Sequence, residues 1–90
     1  MLRITIRNED SATGFVIEGT LAWPWVEELR KCWRRALSPH QPQSIYVDLT
    51  AMTFIDSRGR GLLVQMHRQG ATLEGSGLMI TALIEEIKQM

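Results

Sequence analysis

The stretch from Ser44 to Leu63 constrains this chain more than any other. Ile45, Val47 and Leu49 alternate with Tyr46 and Asp48, the period and composition of a strand with two distinct faces. Residues 50–53 read as a short connection, and Phe54 and Ile55 as side chains anchoring that connection to a core. Asp56 and Ser57 then offer two small side-chain oxygens where a helix should begin, and either can cap its free N–H groups. Leu62, Leu63 and Met66 fall on one side of that helix. Strand, tight polar turn and helix in succession point to an α/β fold. The turn lies at the carboxyl end of the strand, where such folds place their working residues.

The remaining segments agree with that class. Leu2, Ile4 and Ile6 alternate with Arg3, Thr5 and Arg7, which predicts a strand with one buried and one wet face. Residues 8–14 read as a turn and residues 15–19 as a second strand, so the first two strands form an antiparallel hairpin. Pro24 suits the first turn of a helix, where its missing N–H is no loss. Val26, Leu29, Trp33 and Leu37 make an apolar stripe, widened by Trp25, Cys32 and Ala36. Glu27 and Glu28 are placed to pair with Lys31, and the helix carries acids early and bases late, as its dipole prefers. Residues 38–43 form a loop. Gly70 is a natural stop for the second helix, residues 71–74 a short fourth strand, and Ser76 a candidate cap for a last helix with Ile80, Leu83, Ile84, Ile87 and Met90 on its buried side. The order β-β-α-β-α-β-α predicts a mixed four-stranded sheet with helices packed on it and right-handed crossovers. Ninety residues suffice for one domain, residues 1–90.

Val47-Asp48-Leu49, followed by Phe54-Ile55-Asp56-Ser57-x-Gly59-x-Gly61-Leu62-Leu63, resembles the signature of the STAS domain, found in bacterial anti-sigma-factor antagonists and in the cytoplasmic tails of sulfate transporters. The resemblance implies a non-catalytic interaction module of signal transduction and transcription regulation. Its partner would be an anti-sigma factor or a kinase-like relative. In antagonist members the turn reads Asp-Ser-Ser/Thr-Gly, and a partner kinase phosphorylates the second hydroxyl residue, which disrupts docking. Here Asp56, Ser57 and Gly59 match, but Arg58 occupies the phosphoacceptor position. A phosphate would add about −1.5 to −2 charges, whereas arginine adds a permanent positive one. Gly19-Thr20-Leu21 is followed by Ala22, where family members commonly carry an aspartate. The expectation is a docking surface of Asp56, Ser57, Arg58, Gly59, Arg60 and Trp23 that does not work as a standard phospho-switch. Ser57 is either the helix cap or a replacement phosphorylation site. STAS-like domains also occur in transporters and lipid-trafficking complexes. That leaves a second expectation, an accessory subunit binding a small anion or nucleotide at the helix start between Arg58 and Arg60.

Other functions find little support in the residues. The formal charge of zero offers no bulk attraction to nucleic acid or anionic membrane. The single Cys32 cannot form an internal disulfide and suits a reducing cytoplasm. The N-terminus alternates rather than running apolar, and no stretch approaches the ~20 apolar residues of a membrane span. There is no Gly-x-Ser-x-Gly elbow or Walker loop, and Gly59-Arg60-Gly61 lacks the third glycine of a dinucleotide fingerprint. With His40 and His67 the only histidines, no metal cluster assembles at usual spacing. No cofactor is expected and the chain does not read as an enzyme. His67 reads as exposed, Cys32 as a buried apolar side chain, and Asp56 as a turn-fixing acceptor rather than a general base. Trp33 reads as core. Trp23 and Trp25 belong to the neighbouring strand-to-helix loop, where Trp23 either covers the sheet's end or docks a partner, and Trp25 either belongs to the core stripe or docks a partner. Arg30, Lys31, Arg34 and Arg35 form a basic, solvated face.

Overall fold

The computed structural model describes residues 1–37 and 44–90, so the expected loop at 38–43, with His40, lies outside the described residues. The elements are β1 (Leu2–Asn8), β2 (Ala12–Leu21), α1 (Val26–Ala36), β3 (Ser44–Ile55), α2 (Ser57–Arg68), β4 (Thr72–Glu74) and α3 (Leu78–Lys88). The four strands form one sheet in the order β1-β2-β3-β4. β1 pairs antiparallel with β2, while β2–β3 and β3–β4 are parallel. The mixed sheet and element order are those anticipated from the sequence.

Register explains where the core sits. Phe15 is the partner of Val47, which in turn is the partner of Leu73, so all three face the same side. Ile17, Leu49 and Met52 join them, and Val26, Leu29 and Trp33 of α1, Leu62, Leu63 and Met66 of α2, and Ile80, Leu83, Ile84 and Ile87 of α3 complete one cluster. The helices thus cover the apolar face of the sheet. Val16, Glu18, Tyr46 and Asp48 on the opposite face are only half-buried.

Several boundaries differ from expectation. Residues 50–53 are not a connection, because β3 runs unbroken to Ile55. Its register with β2 shifts twice, between Val16 and Glu18 and between Gly19 and Thr20, and each shift adds one residue to β3. Such bulges reset which side chains face inward. Leu49, Met52 and Ile55 therefore succeed one another at intervals of three. Met52 is the buried anchor and Phe54 is 56% exposed. The hairpin turn is shorter than expected, since Ala12, Thr13 and Gly14 already belong to β2. There Gly14 leaves room for the Tyr46 ring, which a Cβ would strike.

The helix ends also move. α1 starts at Val26, so Pro24 stands in the turn before it rather than in its first turn. Trp25 and Leu37, expected in the stripe, are 41% and 44% exposed. Glu27 pairs with Arg30 at 3.2 Å instead of Lys31, while Glu28 meets Lys31 at 4.0 Å. Ser76 does not cap α3: the N-cap is Gly77, and the Ser76 N–H donates to Thr50 Oγ1 at 3.2 Å. Met90 lies past the helix and is exposed. His67 is half-buried rather than exposed, with its Nδ1 sealed from solvent and unbonded. Cys32 is half-buried against the core.

Candidate functional site

The carboxyl ends of β2 and β3 lie side by side, Leu21 opposite Ile55, so the loops leaving them share one corner. Asp56 follows β3 in an extended conformation and caps α2: its Oδ1 accepts from the Gly59 N–H at 2.8 Å. Its other oxygen accepts the Trp23 N–H from the β2–α1 turn at 2.9 Å. One carboxylate therefore starts the helix and ties the two loops together. These N–H groups, Gly59 first and Trp23 next, hold the Asp56 carboxyl below its usual value of 3.8, because they stabilise the charged form. Asp56 is the turn-fixing acceptor the sequence suggested. Ser57 is not the cap but the first helical residue, with an exposed side chain.

Gly59 is buried. A Cβ there would collide with the Leu21 carbonyl oxygen and meet Ile55 Cγ1 and Leu21 Cγ at 3.0 Å. The Leu21 carbonyl also accepts the Asp56 N–H at 3.3 Å. Gly59 thus lets α2 press onto the strand ends and has no surface to present to a partner.

The exposed side chains of the corner include Ser57, Arg58, Trp23, Pro24, Trp25 and Phe54. The Arg58 guanidinium stacks on the Trp23 ring, 4.7 Å from its centroid, an attraction between a cation and the ring's electron-rich face. Trp23 remains 55% exposed, so the pair is displayed rather than packed away. Arg60 behaves differently. It forms a 2.6 Å ion pair with Glu86 of α3, which holds the Glu86 carboxyl low and pushes the Arg60 guanidinium up. Arg58 and Arg60 therefore do not converge on the helix start, and the seat an anion would take there is filled by the chain's own Asp56. The Trp23–Asp56 tie and the Arg60–Glu86 pair have no sequence signature, because they join positions 33 and 26 residues apart.

Among the described residues, no three His, Cys, Asp or Glu side chains gather as a metal site. No helix among them is long and apolar enough to cross a membrane. Arg34, Arg35 and Lys31 are solvent-exposed, as expected of a basic surface face, and Arg30 is half-buried beside Glu27.

A family model described as the STAS domain matches residues 3–90. The fold is similar to that of the anti-sigma factor antagonist SpoIIAA in its unphosphorylated form, at 18% identity and a TM-score of 0.71, over 94% of this chain and 82% of that one. It is similar to an uncharacterized DUF3478-family protein with a SpoIIAA-like fold from Shewanella loihica PV-4, at 15% identity and a TM-score of 0.59, over 87% and 70% of the two chains. It also matches part of Mglu, at 15% identity and a TM-score of 0.62; 82% of this chain is covered, but only 19% of Mglu. No curated protein sequence matches. At these identities the structural likenesses speak for the fold.

Proposed function

The chain belongs to the STAS domain family, and from that membership we propose that it is a non-catalytic docking module whose handle is the corner formed by Asp56, Ser57, Arg58 and Trp23. The observation carrying this reading is the exposed Arg58–Trp23 stack, held in place by one carboxylate that fastens both loops. Tryptophan and arginine are the side chains that most often concentrate binding energy in protein interfaces. Here the Trp23 loop is tied through its N–H to the Asp56 carboxylate that caps the helix carrying Arg58, which reduces the ordering cost of association. The partner is a protein of the anti-sigma-factor or kinase-like type, met in the cytoplasm, and nucleic acid is not its ligand.

Regulation differs from the antagonist pattern. Arg58 stands where relatives carry the phosphoacceptor and its charge cannot be switched, so docking is constitutive or controlled elsewhere. The accessory-subunit reading with a small anion or nucleotide has less support, since Asp56 and Glu86 occupy the groups that would hold the ligand.

The test is direct. The protein is incubated with anti-sigma-like and kinase-like proteins encoded near it, phosphate is mapped by mass spectrometry, and binding is measured for wild type, Arg58→Glu and Arg34→Glu. The reading expects no stoichiometric phosphate and binding lost only in Arg58→Glu. Complete modification at Ser57 that releases the partner would overturn it.

A further inference from the structure

A guanidinium carries five N–H donors in one plane and no acceptor. Arg60 spends donors on Glu86 at 2.6 Å, and Arg30 on Glu27 at 3.2 Å. Among the described residues, the Arg58 guanidinium donates to nothing and joins no ion pair. Asp56, two residues earlier, accepts the Gly59 N–H with one oxygen and the Trp23 N–H with the other. What holds Arg58 is the Trp23 ring, whose centroid lies 4.7 Å from the guanidinium carbon. Stacking engages the flat face of a guanidinium and leaves its edge donors open. Arg58 is therefore positioned by a contact that uses none of its hydrogen bonds.

The corner around the pair is apolar, with Trp23, Trp25 and Phe54 all exposed. A partner that covers them takes Arg58 out of water as well. A charge buried without a counter-charge costs more than the apolar contact returns, so the covering surface must bring an acceptor. Counting charges fixes its kind. Arg60 is committed to Glu86, so Arg58 stands as a single positive charge with a planar fork. A carboxylate supplies one negative charge and two oxygens in the matching plane. A phosphate group, at about −1.5 to −2 charges, would be left partly uncompensated.

Resting on the docking role of this corner, we propose that the partner protein presents an Asp or Glu carboxylate to the edge of the Arg58 guanidinium, beside an apolar side chain that packs on Trp23. The two halves of the contact divide the work. The apolar side chain and Trp23 exclude water, which strengthens the ion pair between them. The ion pair fixes which partner is accepted, because a basic side chain at the same place would face Arg58 with like charge. Arg58 is thus the residue that sets specificity at this corner, selecting partners with an acid there and rejecting those with a base.

The experiment is selection from a random peptide library displayed on phage, against the immobilised chain as wild type, Trp23→Ala, Arg58→Glu and Arg34→Glu. Trp23, Arg58 and Arg34 are exposed, so the variants keep the fold, which circular dichroism checks. Peptides retained by wild type and lost in Trp23→Ala should carry an Asp or Glu next to an apolar residue. In synthetic copies, lysine in place of that acid should weaken binding to wild type by about tenfold or more and strengthen binding to Arg58→Glu. Phosphoserine at the same place should bind no better than the acid, and Arg34→Glu should behave as wild type. Peptides that need Trp23 but carry no acid, or that tolerate the lysine, would overturn the carboxylate and leave the docking corner standing. So would a phosphoserine peptide that binds more tightly than the acid. A library in which no peptide distinguishes wild type from Trp23→Ala and Arg58→Glu would overturn the docking corner and the proposal together.

Discussion

Two glycines of α2, two residues apart, should respond oppositely to the same substitution. Gly61 is exposed, and a Cβ there meets nothing within 4 Å. Gly61→Ala therefore contributes only the helix-propensity gain, about 0.5–1 kcal/mol, and raises Tm by roughly 2–8 °C. Gly59→Ala gains the same propensity but drives its methyl group into the Leu21 carbonyl oxygen. That oxygen belongs to backbone held by β2–β3 pairing and by the Asp56 N–H, so it cannot swing aside like a side-chain tip. The first turn of α2 must withdraw instead, against Leu62 and Leu63, which are fully packed. Overpacking of this kind costs about 1–3 kcal/mol. After the propensity gain, the net is a loss of up to about 2.5 kcal/mol and a Tm lower by as much as roughly 10–20 °C. Because the same withdrawal pulls Asp56 from Trp23, partner binding should fall in Gly59→Ala and hold in Gly61→Ala. Thermal and urea unfolding of both variants is the assay. If Gly59→Ala were as stable as Gly61→Ala, the close approach of α2 to the strand ends would be wrong, and with it the account of how the corner is built.

Other outcomes follow from the same geometry. The Asp56 carboxyl is held below 3.8 in the folded state, so its contribution to stability is full above that pH and is lost as pH falls through the lowered value. Glu86, held down by Arg60 from 4.5, acts with the same sign. Stability measured between about pH 5 and pH 2 should therefore decline less steeply in Asp56→Asn and in Glu86→Gln than in wild type. Asp56→Ala should speed amide exchange at Gly59 and Trp23 together, since one side chain protects both; acceleration at only one of them would contradict the shared tie. Gln69→Ala removes the 2.9 Å acceptor of the Trp33 indole N–H and should cost about 1 kcal/mol in urea unfolding.

The sequence revealed element types and order more readily than boundaries. Strand and helix periods are local, so Ile45, Val47 and Leu49 announced β3, and Leu62, Leu63 and Met66 announced the buried side of α2. The second half of β3 was illegible because two bulges break its alternation: Leu49, Met52 and Ile55 recur every third residue, a spacing that no regular strand shows. Trp25 and Leu37 fitted the helical stripe of α1 on paper, but the helix begins after one and ends before the other. The capping role of Asp56 was legible, since an oxygen-bearing side chain two or three residues ahead of free N–H groups is a local pattern. Its hold on Trp23 was not, because the donor is a backbone N–H that any residue supplies. Arg60 looked available to an anion for a similar reason: Glu86 lies on another helix, and only the tertiary fold brings it within reach.

The most direct test of the central claim is the affinity for a cognate anti-sigma-like or kinase-like partner, compared across Trp23→Ala, Arg58→Glu and Arg34→Glu with Ser57 checked for phosphate. The account predicts losses of about tenfold or more for the first two, wild-type affinity for the third, and an unmodified Ser57. Wild-type affinity in Arg58→Glu and Trp23→Ala, with binding lost in Arg34→Glu instead, would contradict it.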